Sequence, residues 1–134
     1  MFLIFYEIKV KKVKKIRASR GEIKIEEILT FAGLNYQTEY SFPGLVSAKG
    51  NPLRFDFAVF DDAGDLDFLI EFNGKQHYEA IPHFGGIAGL REQQFNDMRK
   101  REYCKKHGIT LVAIPYTDEG RMNYDYIMTR AGYK

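Results

Sequence analysis

Leu53-Arg54-Phe55-Asp56-Phe57-Ala58-Val59-Phe60, the acidic turn Asp61-Asp62-Ala63-Gly64-Asp65, and Leu66-Asp67-Phe68-Leu69-Ile70-Glu71-Phe72-Asn73-Gly74-Lys75-Gln76-His77 form the stretch from which the fold is read. Two runs rich in aromatic and branched residues, separated by Asp and Gly, predict a β-hairpin. In the first strand Phe55, Phe57 and Val59 alternate with Arg54, Asp56 and Ala58, so Asp56 is expected on the face opposite the phenylalanines. In the second strand Glu71 ends an apolar run, where an unpaired buried charge would carry a penalty on the order of several kcal/mol. Two carboxylates on neighbouring strands are what a hard divalent cation needs. The ordinary alternative is a solvated Asp56 and a Glu71 that merely ends its strand, the commoner situation for a hairpin taken at random. The tail Glu71-Phe72-Asn73-Gly74-Lys75-Gln76-His77-Tyr78 shifts the balance, because a turn glycine, an ammonium, an amide and an imidazole follow the carboxylate directly.

The Phe-Asp-Phe strand, the hairpin, the Glu71-to-Tyr78 segment and a later helix with Gln93-Gln94-Phe95-Asn96-Asp97-Met98-Arg99-Lys100 resemble the PD-(D/E)xK nuclease superfamily. Within it, the chain is most similar to the small phage and homing-type endonucleases related to the very-short-patch repair nucleases. The resemblance runs from about Ser19 to Tyr116 and is most specific in the hairpin with its His77 tail. It implies a restriction-endonuclease-like core and an Mg²⁺- or Mn²⁺-dependent endonuclease that hydrolyses phosphodiester bonds of DNA. On that resemblance Asp56, Glu71 and the Phe72 carbonyl would hold the metal, and Glu22, in its Gly-Glu-x-x-Ile setting, would be the first helix's glutamate at the active site. The usual lysine two residues after the second acid is replaced here by Asn73. The base or water-positioning group therefore falls among His77, Lys75 and Lys100. His77 is preferred because an imidazole can both give and take a proton, with Gln76 and Lys100 left to orient water or phosphate. A non-catalytic DNA-binding module on the same fold is the alternative, as is a junction-resolving or RNA-directed nuclease; a pure binder has no need of the carboxylate pair.

At 134 residues the chain is one domain's worth, and with 45% hydrophobic and 15% aromatic residues it is expected to fold. The single Cys104 excludes an intramolecular disulfide and a multi-cysteine zinc site. No apolar run reaches the length of a membrane span, and Met1 to Tyr6 is too short for a signal-peptide core, so no membrane partner and a cytoplasmic location are expected. A homodimer is left open. The net charge of +2 hides an asymmetry: residues 1 to 20 hold seven Lys/Arg against one acid, or +6, and the remaining 13 basic and 17 acidic side chains give −4. A basic segment, residues 1 to 18, ahead of a single nuclease-like domain, residues 19 to 134, reads as a phosphate-binding arm or as a solubility device.

Along the chain, residues 2 to 10 read as a weak strand, 20 to 32 as a helix with Ser19 or Gly21 near its start and Gly33 as its stop, and 36 to 42 as a strand. Pro43-Gly44 and residues 47 to 52 are expected to be loop. Glu22, Glu26 and Glu27 otherwise read as a solvated helix face. Residues 79 to 90, with Pro82 and the glycines Gly85, Gly86 and Gly89, read as a surface loop in which His83 and Phe84 either meet DNA or, more commonly, pack the loop. A helix is expected from 91 to 106, ended by Gly108; Asp97 and Lys100, three apart on it, read either as a surface ion pair or as residues facing the hairpin. Ile109 to Ile114 is a buried strand that should lie parallel to the Glu71 strand, and a last short helix is expected near Asp125-Tyr126-Ile127-Met128. The expected architecture is α/β, a mixed sheet of about four strands flanked by helices.

If Lys11, Lys12, Lys14 and Lys15, with Lys75, contact phosphates, replacing the four N-terminal lysines with Gln should weaken binding to all DNA sequences alike and flatten the log-log salt dependence by about 0.9 per lost contact on duplex. An unchanged salt slope in the quadruple variant makes the segment a solubility device.

Overall fold

A computed structural model describes residues 18–133, so the N-terminal strand expected at 2 to 10 and Lys11, Lys12, Lys14 and Lys15 lie outside the described residues. Helix α1 (Arg20–Phe31) starts where the sequence places it, at Ser19. The Ser19 hydroxyl accepts from the Glu22 amide, and the Glu22 carboxylate accepts from the Ser19 amide, a reciprocal cap that satisfies two orphan donors. Strands β1 (Asn35–Val46), β2 (Pro52–Phe60) and β3 (Leu66–Asn73) form an antiparallel meander. Helix α2 (Gly86–His107) then leads to β4 (Thr110–Pro115), which pairs parallel with β3 as expected, and α3 (Tyr124–Arg130) closes the chain. The sheet order is β1-β2-β3-β4, a mixed four-stranded α/β sheet. Among the described residues no helix is long and apolar enough to cross a membrane.

Helices cover both faces. Ile25 and Leu29 of α1 and Ile127 of α3 pack with Phe68, Ile70 and Phe72 of β3 and with Val112 and Ile114 of β4. On the other side Cys104 of α2 packs with Leu69, Ala58, Phe55, Leu53 and Leu45. The alternation of Phe68, Leu69 and Ile70 between these clusters is that of a strand buried on both sides.

The expected period of two fails in β2. Phe55 belongs to the α2-side core whereas Phe57 and Val59 belong to the α1-side core, so the strand changes sides across Asp56 and no single face carries all the phenylalanines. The neighbouring strand does the same: Tyr36 packs on the α1 side, and Tyr40 and Phe42 on the α2 side. The pairings Thr38 with Phe57 and Tyr40 with Phe55 set Glu39 opposite Asp56, and Glu39 has φ +53°, a left-handed backbone rare for a glutamate. The bend thus runs across two strands at one level of the sheet.

Three further expectations are corrected. Pro43-Gly44 is not loop but lies within β1, in a stretch where the β1–β2 register shifts between Ser41 and Val46. Residues 79 to 90 are not wholly a loop: a 3₁₀ turn spans Pro82–Phe84 and α2 already begins at Gly86. Its glycines do not break it, because a Cβ at Gly89 would strike the Phe84 carbonyl and only glycine admits that contact. Another 3₁₀ turn, Tyr116–Arg121, follows β4 where no element was expected.

Gly21 works the same way between α1 and the sheet. A Cβ there would run into the ring of Phe72, so glycine sets how closely the start of α1, and with it Glu22, approaches β3. Gly21→Ala should lower stability by about 1–3 kcal/mol, the usual scale of overpacking, against a helix-propensity gain of at most about 1 kcal/mol. Equilibrium urea unfolding checks this; a variant as stable as wild type would show that the helix slides freely.

Candidate active site

Glu22 from the first turn of α1, Glu39 from β1 and Asp56 from β2 each bring one carboxylate oxygen to within 4.8 Å of the others, and all three side chains are half-buried. The bend described above accounts for the meeting: the left-handed Glu39 and the side-switching Asp56 face each other across the strand pair, and the close seat of Gly21 brings Glu22 down to them. Asp56 has a further bond. Its Oδ2 accepts from the Phe72 amide at 2.7 Å, on the peptide unit that joins Phe72 to Glu71. The β2–β3 register ends at Phe57 with Ile70, so the carboxylate takes the place of a main-chain acceptor beyond it. Within an extended strand a residue's N–H and C=O point to the same edge. The Phe72 carbonyl therefore lies on the edge from which Asp56 approaches.

Glu71 itself points to the α2 side, as does Leu69. It is buried, and Lys100 of α2, also buried, donates to its Oε1 at 2.9 Å. Lys100 further lies 5.3 Å from the centre of the Phe55 ring. Burial pushes the Glu71 carboxyl above its ordinary pKa, against the opposing pull of the Lys100 ammonium. Beside this pair, the 3₁₀ turn Lys75–His77 presents His77, whose Nδ1 is 2.9 Å from Asp97 Oδ2, while Gln93 Nε2 donates to Asp97 Oδ1 at 3.1 Å. Burial raises the Asp97 carboxyl's pKa, but the His77 hydrogen bond and charge, the Gln93 amide and Lys100 outweigh it and hold Asp97 below the ordinary carboxylate value. An ionised Asp97 can only accept, so His77 donates its Nδ1 proton to it.

The residues singled out in the sequence thus fall into two linked groups. Glu22 and Asp56 meet each other together with Glu39; Glu71, Lys100 and His77 meet on the α2 side with Asp97; the Glu71–Phe72 peptide joins the two. Gln76 lines a cavity against α2 that Gln93 also lines, and Lys75 is exposed with Nζ 3.8 Å from Glu79. Asp97 and Lys100 are not partners in a surface pair: both face the hairpin. Sequence reasoning passed over Glu39, which sits on the polar side of an ordinary alternating strand and gives no signal there. It also gave Asp97 no partner on the hairpin, although the following imidazole at His77 was in view. Cys104 is no nucleophile, since burial first and the Glu71 carboxylate second push its thiol up to about 11.

No family model matches the chain, and no solved structure is significantly similar to it. It is 41% identical over 79 residues to "Uncharacterized protein 307L" of Invertebrate iridescent virus 6, covering 58% of this chain and 40% of that protein. It is 48% identical over 54 residues to "Uncharacterized protein 094L" of Frog virus 3, covering 39% and 35%. A third relative, "Uncharacterized protein 033L" of Invertebrate iridescent virus 3, is 39% identical over 49 residues, covering 36% and 25%. The chain therefore spans two-fifths or less of the length of these relatives.

The buried ion pair can be tested by a double-mutant cycle in urea unfolding at neutral pH. Lys100→Met alone leaves an uncompensated buried carboxylate and should cost about 3 kcal/mol or more, whereas Glu71→Leu with Lys100→Met should come within about 1 kcal/mol of wild type or exceed it. Additive losses in the cycle would mean that the two charges do not interact.

Proposed function

We propose that this protein is a metal-dependent nuclease that hydrolyses phosphodiester bonds of DNA. The observation that carries the reading is the meeting of Glu22, Glu39 and Asp56 at a bent strand pair, bonded through Asp56 to the peptide that also carries Glu71. The donor set fits the cofactor: several carboxylate oxygens and a neighbouring carbonyl are hard ligands suited to Mg²⁺ or Mn²⁺, with no thiolate or imidazole among them. Asp56, Glu22 and Glu39 would hold the ion, with the Phe72 carbonyl on the same edge of β3 and Glu71 one residue away. Such an ion supplies Lewis-acid polarisation of a phosphoryl oxygen and stabilises charge on the departing 3′ oxygen.

The chain's own residues supply the proton transfer and the orientation. Hydrolysis needs a group that takes a proton from the attacking water as the bond from oxygen to phosphorus forms and the bond to the 3′ oxygen breaks. His77 is the candidate for that group: with Nδ1 tied to Asp97, its Nε2 is the nitrogen that would take the proton. Asp97 acts as a positioning residue, fixing the tautomer and the ring, and Gln93 fixes Asp97 in turn. Lys100 donates to the second acid of the hairpin, which makes it the candidate for the role of the lysine that Asn73 replaces. The substrate class, duplex DNA, rests on the resemblance and on the basic first twenty residues, which carry +6.

Supercoiled plasmid, linear duplex, single-stranded DNA and a four-way junction, each incubated with Mg²⁺, Mn²⁺ or EDTA, test the activity and separate the substrate shapes. Cleavage should need the divalent ion and be lost in Asp56→Asn. His77→Ala should lower the single-turnover rate by about 10²-fold or more while DNA binding stays near wild type. Wild-type cleavage in EDTA or by Asp56→Asn would overturn the proposal; a fully active His77→Ala would move the base elsewhere, to Lys100 first.

A further inference from the structure

The last turns of α1 and the chain that enters α3 leave an apolar groove of about 740 Å³. Ile28, Phe31, Ala32 and Tyr124 line it together with the buried Met122. Phe31 is 96% exposed and Tyr124 46%. A single exposed phenylalanine is ordinary on a protein surface, but one that stands at a groove of further apolar side chains marks a place where apolar surface docks. The charged members of the lining are Lys24, whose ammonium donates to the Glu119 carbonyl, and Glu27, which has no ion pair among the described residues.

The chain itself holds a segment that matches the groove. Met1-Phe2-Leu3-Ile4-Phe5-Tyr6 is an unbroken apolar run, and residues 7 to 17 after it hold six Lys/Arg against one acid, or +5. The described residues begin at 18, just ahead of α1. To return to the groove the segment must pass the length of α1, 12 residues or about 18 Å, and the eleven residues from 7 to 17 reach about 36 Å when extended. The tether is therefore long enough with slack. A segment on so short a tether meets its groove at an effective concentration on the order of mM, so even a weak apolar contact is occupied. The charge of the tether suits the path as well, because α1 turns Glu26 and Glu27 outward and Glu27 stands in the groove lining.

We infer that the groove between α1 and α3 is the docking site of residues 1 to 6 of this same chain, which bury their apolar side chains against Phe31 and Tyr124. Docking there leads the basic residues 7 to 17 back along α1 to its first turn, where Glu22 stands. The inference is independent of the nuclease reading, since neither the groove nor the segment uses the carboxylate cluster or His77.

The test reads docking in the full chain. Cys104 is buried, so a nitroxide can be attached selectively to Glu7→Cys, one residue past the apolar run. In the isotope-labelled chain the amide signals of Ile28, Phe31, Ala32 and Tyr124 should lose most of their intensity, while those of Arg101 and Lys105 on α2, across the sheet, keep theirs. Leu3→Ser with Ile4→Ser, and separately Phe31→Ser at an exposed ring, should each restore the groove signals and leave the rest of the spectrum in place. No broadening in the groove, or broadening that survives either variant, overturns the inference. Broadening along β1 or β4 instead moves the segment to a sheet edge and overturns the groove as its site. Spin-labelled chain without isotope is also mixed with isotope-labelled chain without the spin label; groove broadening in that mixture assigns the segment to a second copy and overturns docking within one chain. DNA cleavage enters none of these outcomes, so the docking and the nuclease reading fail separately.

Discussion

The bond from the Phe72 amide to the Asp56 carboxylate, 2.7 Å long, is the constraint on which the rest of this structure depends. A main-chain amide in a sheet is ordinarily satisfied by the carbonyl of the neighbouring strand; here a charged side chain does it, and charge-assisted bonds of this kind are roughly twice as strong as neutral ones. For the side chain to reach, β2 must turn about its axis at Asp56. Phe55 then falls into the core under α2, whereas Phe57 and Val59 stay in the core under α1. Strand β1 follows, and Glu39 absorbs the turn in a left-handed backbone that costs a non-glycine residue on the order of 1–3 kcal/mol. Both cores and the carboxylate cluster are therefore consequences of one bend.

How much of this was legible in the sequence depends on the range over which each signal acts. The hairpin, the Ser19 and Glu22 start of α1, the Gly108 stop of α2 and the strand β4 are written in neighbouring residues, and all are found, but β4 is an edge strand of the described sheet with only Val112 and Ile114 buried, not the strand buried throughout that its apolar run suggests. The side switch at Asp56 was not legible, because alternation is counted along one strand and the cause of its failure, the Phe72 amide, lies on another. The glycines before Arg91 were counted against a helix on propensity alone; what decides the matter at Gly89 is a contact with Phe84 that only the folded chain reveals. Asp97 and Lys100 present the same difficulty in another form. Their spacing suits a pair, yet each finds a better partner across the fold, His77 for one and Glu71 for the other.

The α2 side of the sheet concentrates ionisable groups where a fold built for stability would place leucines. Glu71 and Lys100 are buried together, Asp97 and His77 lie beside them, and the burial that raises the Glu71 carboxyl also raises the Cys104 thiol next to it. Replacing a buried ion pair by apolar residues of similar volume is often neutral or stabilising. This network, set at the end of the strand that also meets the three-carboxylate cluster, is what the nuclease reading draws on.

The sign of the charges constrains any such chemistry. Outside the first twenty residues the chain carries −4, and the candidate site alone gathers Glu22, Glu39, Asp56, Glu71 and Asp97. Two unit charges about 4 Å apart interact by only about 1 kcal/mol in bulk water, but by several times that at the effective dielectric of a protein surface. A phosphate approaching carboxylates set this closely would be repelled. The nearby cations are already engaged, Lys100 by Glu71 and Lys75 by Glu79. On the nuclease reading, attraction and chemistry must therefore be divided. A divalent ion reverses the local sign at the site, and the densest positive charge in the sequence, +6 within residues 1 to 20, draws in the polyanion over a range that the site itself cannot command. On that reading a basic segment joined to an acidic body divides attraction from chemistry.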